Sequence, residues 1–224
     1  MNDQLEERDL FAWTLAQAEF RHTPMAGQLD NLKYDISMLH SDVLHMVYLM
    51  ARDTVGDVLE LGAYIGGATA SASLGLQERN SGKVVTVEKG GSFTVPPHNI
   101  PDVLEFLKNN LAKYGVTETV KIISGLSFDN QVIERIKGQL KPSSVSLLIH
   151  DIATSLGDEL ERYGGLLAPG ACLVVDDYSS LNDPDRVELT QASIRELSER
   201  GVVESWGVFG WGTWFGKLRD ISRL

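Results

Sequence analysis

The chain has 224 residues, 43% hydrophobic and 23% charged, long enough to bury a full core as one large domain or a domain with a small appendage. Its formal net charge of -11 argues against a nucleic-acid backbone or an anionic membrane as the main partner. One cysteine, Cys172, excludes an internal disulfide; "MNDQLEERDL" lacks a signal-peptide core and no apolar run reaches membrane-span length, so a cytoplasmic location is expected.

Residues 3–21 read as a helix with Leu5, Leu10, Phe11, Leu15 and Ala18 on one face, and "RHTPMAGQ" breaks it. A second helix is predicted over about 31–52, carrying Ile36, Leu39, Val43, Val47 and Met50. Together they predict an N-terminal helical appendage over 1–52, as lid or dimer contact, ahead of a domain over 53–224. The broad apolar face of the second helix includes Met38, Met46 and Met50. Packing within the chain is its simpler use, and a homodimer contact is the other.

From residue 57 short apolar runs alternate with helical stretches. The runs are "DVLEL" (57–61), "KVVTVE" (83–88), "VKII" (120–123), "VSLLIH" (145–150) and "ACLVVD" (171–176). The helical stretches are about 66–78, 102–114, 128–139, 156–164 and 186–200. Such alternation means βαβ units, a parallel sheet and helices on both faces. "VVESWGVFG" and "WGTWFGKL" then meet at Gly210 with no room for a helix, which predicts an antiparallel pair. This layout resembles the class I methyltransferases. The resemblance implies a doubly wound, mostly parallel seven-stranded α/β sheet in the order 3-2-1-4-5-7-6.

After the first run comes "ELGAYIGG": Glu60, Leu61, Gly62, Ala63, Tyr64, Ile65, Gly66 and Gly67. Glycines at a strand end allow a tight turn and close approach of a ligand to the backbone. The spacing is G-x-x-x-G-G with an acid inside the strand, not the dinucleotide fingerprint G-x-G-x-x-G. Glu60 is placed to organise backbone amides or to meet a cationic amino group. The loop resembles motif I of S-adenosylmethionine-dependent methyltransferases; a plain strand–turn–helix junction is its bland alternative. Glu88 closes the second run, where an acid can accept both hydroxyls of a ribose. The resemblance also places Ser124, Gly125, Leu126 and Ser127 along the adenine.

The fifth run ends "LVVDDY", with Asp176 and Asp177 adjacent. Two like charges at about 4 Å repel by roughly 4 kcal/mol at an effective dielectric of 20. The fourth run ends in His150 and Asp151, and in the expected order these two strands are neighbours. Asp151, Asp176 and Asp177 then converge, which a cation makes tenable. Hard oxygen ligands suit Mg²⁺, with Mn²⁺ or Ca²⁺ as alternatives. A helix cap plus a solvated turn acid is the other reading of the pair. Leu167, Pro169, Gly170, Asp176, Asp177 and Tyr178 resemble the metal-dependent macrocin O-methyltransferase and cephalosporin-hydroxylase-like group. The catechol type has a lysine after the strand-four Asp; here stand Ile152, Ala153 and Thr154, which leaves Asp151 and His150 as the nearest bases. His40 is a further candidate, with a structural role preferred.

These residues predict an S-adenosylmethionine-dependent, divalent-metal-assisted O-methyltransferase. The resemblance implies a small secondary metabolite as acceptor, with a sugar, phenol, peptide or polyketide hydroxyl. "KGGSFTVPPHNIP" (89–101) reads equally as a lid or as a plain surface loop. Two rivals stand: a non-catalytic cofactor-binding or assembly module, and a nicotinamide-dependent oxidoreductase.

Overall fold

The structure, a computed structural model, describes residues 10–94, 99–179 and 183–224, without the side chain of residue 10. In chain order the elements are α1 (Leu10–Phe20), α2 (Pro24–Ile36), α3 (Ser41–Asp53), β1 (Asp57–Leu61), α4 (Gly67–Arg79), β2 (Val84–Glu88), α5 (Val103–Lys113), β3 (Val120–Ser124), α6 (Asn130–Gln139), β4 (Val145–His150), α7 (Leu156–Tyr163), β5 (Leu167–Val175), α8 (Pro184–Glu199), β6 (Val203–Phe209) and β7 (Thr213–Leu218). The sheet has seven strands in the order β3-β2-β1-β4-β5-β7-β6. All neighbours are parallel except β5–β7 and β6–β7, which are antiparallel. The sheet order implied by the resemblance is the observed one.

Successive residues of a strand point to opposite faces, and the apolar runs fill both. Val58, Leu147, Ile149, Val174 and Phe215 face one core; Leu59, Leu148, Leu173, Val175 and Trp214 face the other. A run apolar at every position is what a sheet covered on both sides demands. Cys172 lies in the first core, 3% exposed, and burial pushes its thiol pKa upward, as a structural cysteine requires. Trp206, Trp214 and Phe215 are likewise buried, while Trp211 stays 62% exposed.

The N-terminal helices differ from their sequence reading in two ways. The face of α1 is not Phe11, Leu15 and Ala18, which are exposed; Trp13, Gln17 and Phe20 are buried instead. Leu5 lies outside the described residues. Those three buried positions also recur at helical spacing, and the stack of Phe20 on Tyr48 of α3, at 4.9 Å between ring centroids, selects them. Second, the helix predicted over 31–52 is two helices. Pro24 does not merely break α1; it starts α2 as a first-turn residue, where no N–H is needed, and Thr23 accepts the N–H of Ala26. The chain is extended at Ser37 and His40, and the His40 ring nitrogen Nδ1 accepts the N–H of Asp42 to cap α3. His40 therefore has the structural role expected of it.

Residues 43–51 of α3 are all buried. The helix lies against α4, whose "GATASAS" stretch is buried at every position. Gly75 makes the approach possible: a Cβ there would stand 2.4 Å from the Tyr48 carbonyl oxygen. Ser71 completes the contact by donating to the Leu44 carbonyl at 2.6 Å. Residues of α1, α2 and α3 thus share one apolar core with the sheet. Met46 and Met50 are consumed there, and only Met38 of the three methionines is exposed. Among the described residues no helix is long and apolar enough to cross a membrane.

Candidate functional site

The parallel ladder continues one residue beyond each central strand. Gly125 N–H donates to Glu88 O, Gly62 N–H to Val87 O, Asp151 N–H to Leu61 O and Asp176 N–H to His150 O, all at 2.8–3.1 Å. These four rungs set the residues after β3, β1, β4 and β5 side by side along one edge. Ligands of open α/β sheets bind at this carboxyl edge. A cavity of about 490 Å³ opens there.

Of the glycine loop, Gly62, Ala63, Tyr64 and Gly67 line the cavity. Gly66 does not; it caps α4 in a left-handed conformation, φ 100°. Glu88 is the organiser of the turn. Its Oε2 accepts the N–H of Tyr64 at 2.8 Å and its Oε1 accepts that of Gly90 at 2.9 Å. Glu60, expected to organise backbone amides or to meet a cationic amino group, turns toward α4 and β2 instead of the glycine turn. It is 1% exposed, and its Oε2 accepts the hydroxyls of Thr69 and Thr86. Hydroxyls from α4 and β2 reach it first because it points into the layer between them. Burial raises its pKa to about 7 despite those two bonds. Both acids border the cavity, as do Gly125, Leu126 and Ser127; Ser124 is exposed and does not.

Ser127 is itself positioned. Its hydroxyl donates to Glu159 Oε1 of α7 at 3.2 Å, and Thr154 donates to the same oxygen at 2.8 Å. Across the mouth, Ile36, Met38, Leu39, Phe93 and Phe128 supply apolar wall. Phe93 pairs its backbone with Ile100 and meets Tyr64 edge to face at 5.0 Å. Residues 95–98 of the stretch 89–101, read as a lid or a plain surface loop, lie outside the described residues.

Asp151, Asp176 and Asp177 come together. One carboxylate oxygen of each lies within 4.8 Å of the others. Adjacent residues of an extended chain would point apart; Asp177 breaks the alternation with a left-handed backbone, φ 55°, a conformation Asp tolerates better than most residues. Asp176 is fixed from β7, where Thr213 donates to its Oδ1 at 2.6 Å. The pairing of Val175 with Trp214 sets that contact. Arg186, in the first turn of α8, bridges the other two. Its Nη2 lies 2.7 Å from Asp151 Oδ1 and its Nε 2.8 Å from Asp177 Oδ2. Both pairs are partly exposed, and each contributes on the order of 1 kcal/mol.

Burial raises the Asp151 pKa to about 7, with Asp176 and then Asp177 adding to the rise and Arg186 opposing it. The side chain keeps 29% of its surface open, so the crowding of carboxylates matters as well as burial. His150 is 2% exposed and does not line the cavity. Burial, then the positive charge of Arg186, lowers its pKa to about 4, so it stands neutral with Nε2 3.4 Å from the Thr154 hydroxyl. Three hard-oxygen donors at this spacing fit a divalent cation such as Mg²⁺, Mn²⁺ or Ca²⁺. Arg186, Thr213 and Thr69 escape a sequence reading. "DPDR" marks a capped helix start, but nothing in it says that the arginine turns back onto the aspartates.

No protein-family model matches the sequence, and no curated protein matches it. Solved structures do match. A proposed caffeoyl-CoA O-methyltransferase from Staphylococcus aureus is 16% identical over 93% of this chain and 99% of its own, with a TM-score of 0.64. TomG from Streptomyces achromogenes, an O-methyltransferase of tomaymycin synthesis solved with S-adenosylmethionine, is 17% identical over 95% and 99%, TM-score 0.60. An O-methyltransferase from Bacillus cereus, solved with S-adenosylhomocysteine, is 17% identical over 97% and 94%, TM-score 0.56. The chain has the class I methyltransferase fold. Within that class it is similar, over nearly its whole length, to small O-methyltransferases.

Proposed function

We propose that the chain is an S-adenosylmethionine-dependent O-methyltransferase, assisted by a divalent cation, acting on a hydroxyl of a small molecule. The observation that carries this reading is one cavity bordered at once by the glycine loop, by Glu88 and by the three aspartates. When bound, S-adenosylmethionine supplies an activated methyl group, and the cation acidifies the acceptor hydroxyl.

The chain's own residues bind, orient and move a proton. Glu88 has its oxygens fixed by two backbone N–H groups and receives the ribose hydroxyls. Gly62, Ala63 and Tyr64 offer backbone to the amino-acid end, with Glu60 beneath them. Gly125, Leu126 and Ser127 border the adenine. Asp151, Asp176 and Asp177 hold the cation. Asp151, the carboxylate next to the glycine loop, would take the hydroxyl proton when the methyl group is transferred. His150, buried away from the cavity, serves as support for Thr154 and not as base. Most of the rate gain comes from holding acceptor and methyl in contact.

The apolar wall of Ile36, Leu39, Phe93 and Phe128 favours a phenolic or polyketide acceptor over a bare sugar. It also favours the lid role for the end of α2 over a dimer contact. A secondary metabolite as acceptor belongs to this proposal. Calorimetric titration with S-adenosylmethionine tests the reading, followed by turnover of a panel of phenols with and without Mg²⁺. Absence of cofactor binding by the folded protein sinks it. Binding without turnover of any hydroxylated acceptor favours a non-catalytic module.

A further inference from the structure

We propose that Arg186 is the resident counter-cation of the aspartate cluster, and that a divalent ion binds only by displacing its guanidinium. The inference rests on the metal-assisted reading above. The backbone of Arg186 is anchored: its N–H donates to Asp183 Oδ1 at 3.1 Å, in the cap of α8. From that fixed point the side chain reaches 2.7 Å from Asp151 and 2.8 Å from Asp177. The third carboxylate, Asp176, has the neutral hydroxyl of Thr213 at 2.6 Å. The one arginine charge is therefore spread over two of the three acids. It keeps them together despite their mutual repulsion, which answers how two adjacent aspartates and a third survive at a strand edge.

A hard cation coordinates carboxylate oxygens at roughly 2.0–2.6 Å. Gathering one oxygen from each acid, it stands against the same two carboxylates that Arg186 grips. Its double charge then faces the guanidinium at close range. Of the two cations, the arginine is held less firmly, by two partly exposed ion pairs of modest strength. It also has a way out: its side chain is 22% exposed and borders the cavity, on a long, flexible stem. The acids stay assembled when no ion is bound, and the ion binds more weakly than three carboxylates alone would hold it.

The test is calorimetric titration of Mn²⁺ into the full chain, as wild type, Arg186→Lys and Arg186→Gln. S-adenosylmethionine binding and far-UV circular dichroism check the fold. Losing two such ion pairs corresponds to about a tenfold factor or more. Arg186→Gln is expected to bind Mn²⁺ tighter by that factor. Arg186→Lys, a point charge that cannot bridge both acids, falls between. If wild type binds Mn²⁺ and Arg186→Gln binds equally or more weakly, displacement is overturned while the metal-assisted reading stands. If neither binds Mn²⁺, both fall. Should the Gln variant not fold, the Lys variant decides: affinity at or below wild type overturns the proposal.

Discussion

The N–H of Tyr64 donates to Glu88 Oε2 at 2.8 Å, across 24 residues of sequence. That bond ties the turn after β1 to the end of β2, and it holds Tyr64 in a left-handed conformation, φ 50°, that a tyrosine seldom adopts. The same carboxylate holds Gly90. Glu88→Gln keeps one acceptor and turns the other oxygen into a donor facing an N–H. Stability is expected to fall by roughly 1–3 kcal/mol, and S-adenosylmethionine affinity by about tenfold or more. Denaturant unfolding and calorimetry read the two separately. Unchanged cofactor affinity with lowered stability would leave Glu88 as a loop tie and remove its ribose role.

Glu60 gives a pH dependence with a definite sign. Its pKa rises from 4.5 to about 7 on folding, so the unfolded chain ionises first as pH climbs. The fold is favoured by this group below pH 4.5, loses that advantage between 4.5 and about 7, and is level above. The whole effect is roughly 3 kcal/mol. Glu60→Gln resembles the protonated acid and keeps an oxygen for Thr69 and Thr86. The wild-type minus variant stability difference should therefore slope downward across that window. A difference that stays flat with pH would show that Glu60 is not held against its charge.

Thr213 acts on the cluster through Asp176. Thr213→Val keeps the volume of a side chain that is 2% exposed and removes the donor to Asp176 Oδ1. Outer-shell partners of metal ligands typically carry 10–100-fold in affinity. Mn²⁺ binding is expected to weaken by about tenfold with cofactor binding retained. Equal Mn²⁺ affinity would mean that Asp176 needs no help from β7, or is no ligand.

What the sequence disclosed and what it hid divide along physical lines. Strands β1 and β4 could be bounded to the residue because a sheet buried on both faces makes short, mostly apolar runs with abrupt polar or glycine ends. The early start of β5 at Leu167 was hidden because Pro169 and Gly170 interrupt the apolar run, which was read from Ala171; the strand passes through a register irregularity there. The α2–α3 break was hidden because apolar spacing continues across it, and a histidine cap is a weak local signal. The aspartates were legible as a cluster because the strand order implied by the class I methyltransferase resemblance makes β4 and β5 neighbours. Arg186 was not, since the direction of a long side chain is set by the charges around it.

Gly62 separates the glycine loop's two readings, a fold requirement and a ligand requirement. It sits at φ 92°, and a Cβ there would stand 2.1 Å from the Asp151 carbonyl oxygen. Backbone cannot yield as a side chain can, because Asp151 N–H is bonded to Leu61 O at 2.8 Å. Gly91 is the control: φ 88° with nothing within 4 Å of its added Cβ. Gly91→Ala should lose only the left-handed penalty, about 1–2 kcal/mol. Gly62→Ala carries that penalty plus the clash and should lose more than about 3 kcal/mol. Denaturant midpoints of the two variants compare them directly. Equal losses would mean that β1 and β4 do not close on each other at this edge, and Asp151 would no longer stand beside the glycine loop.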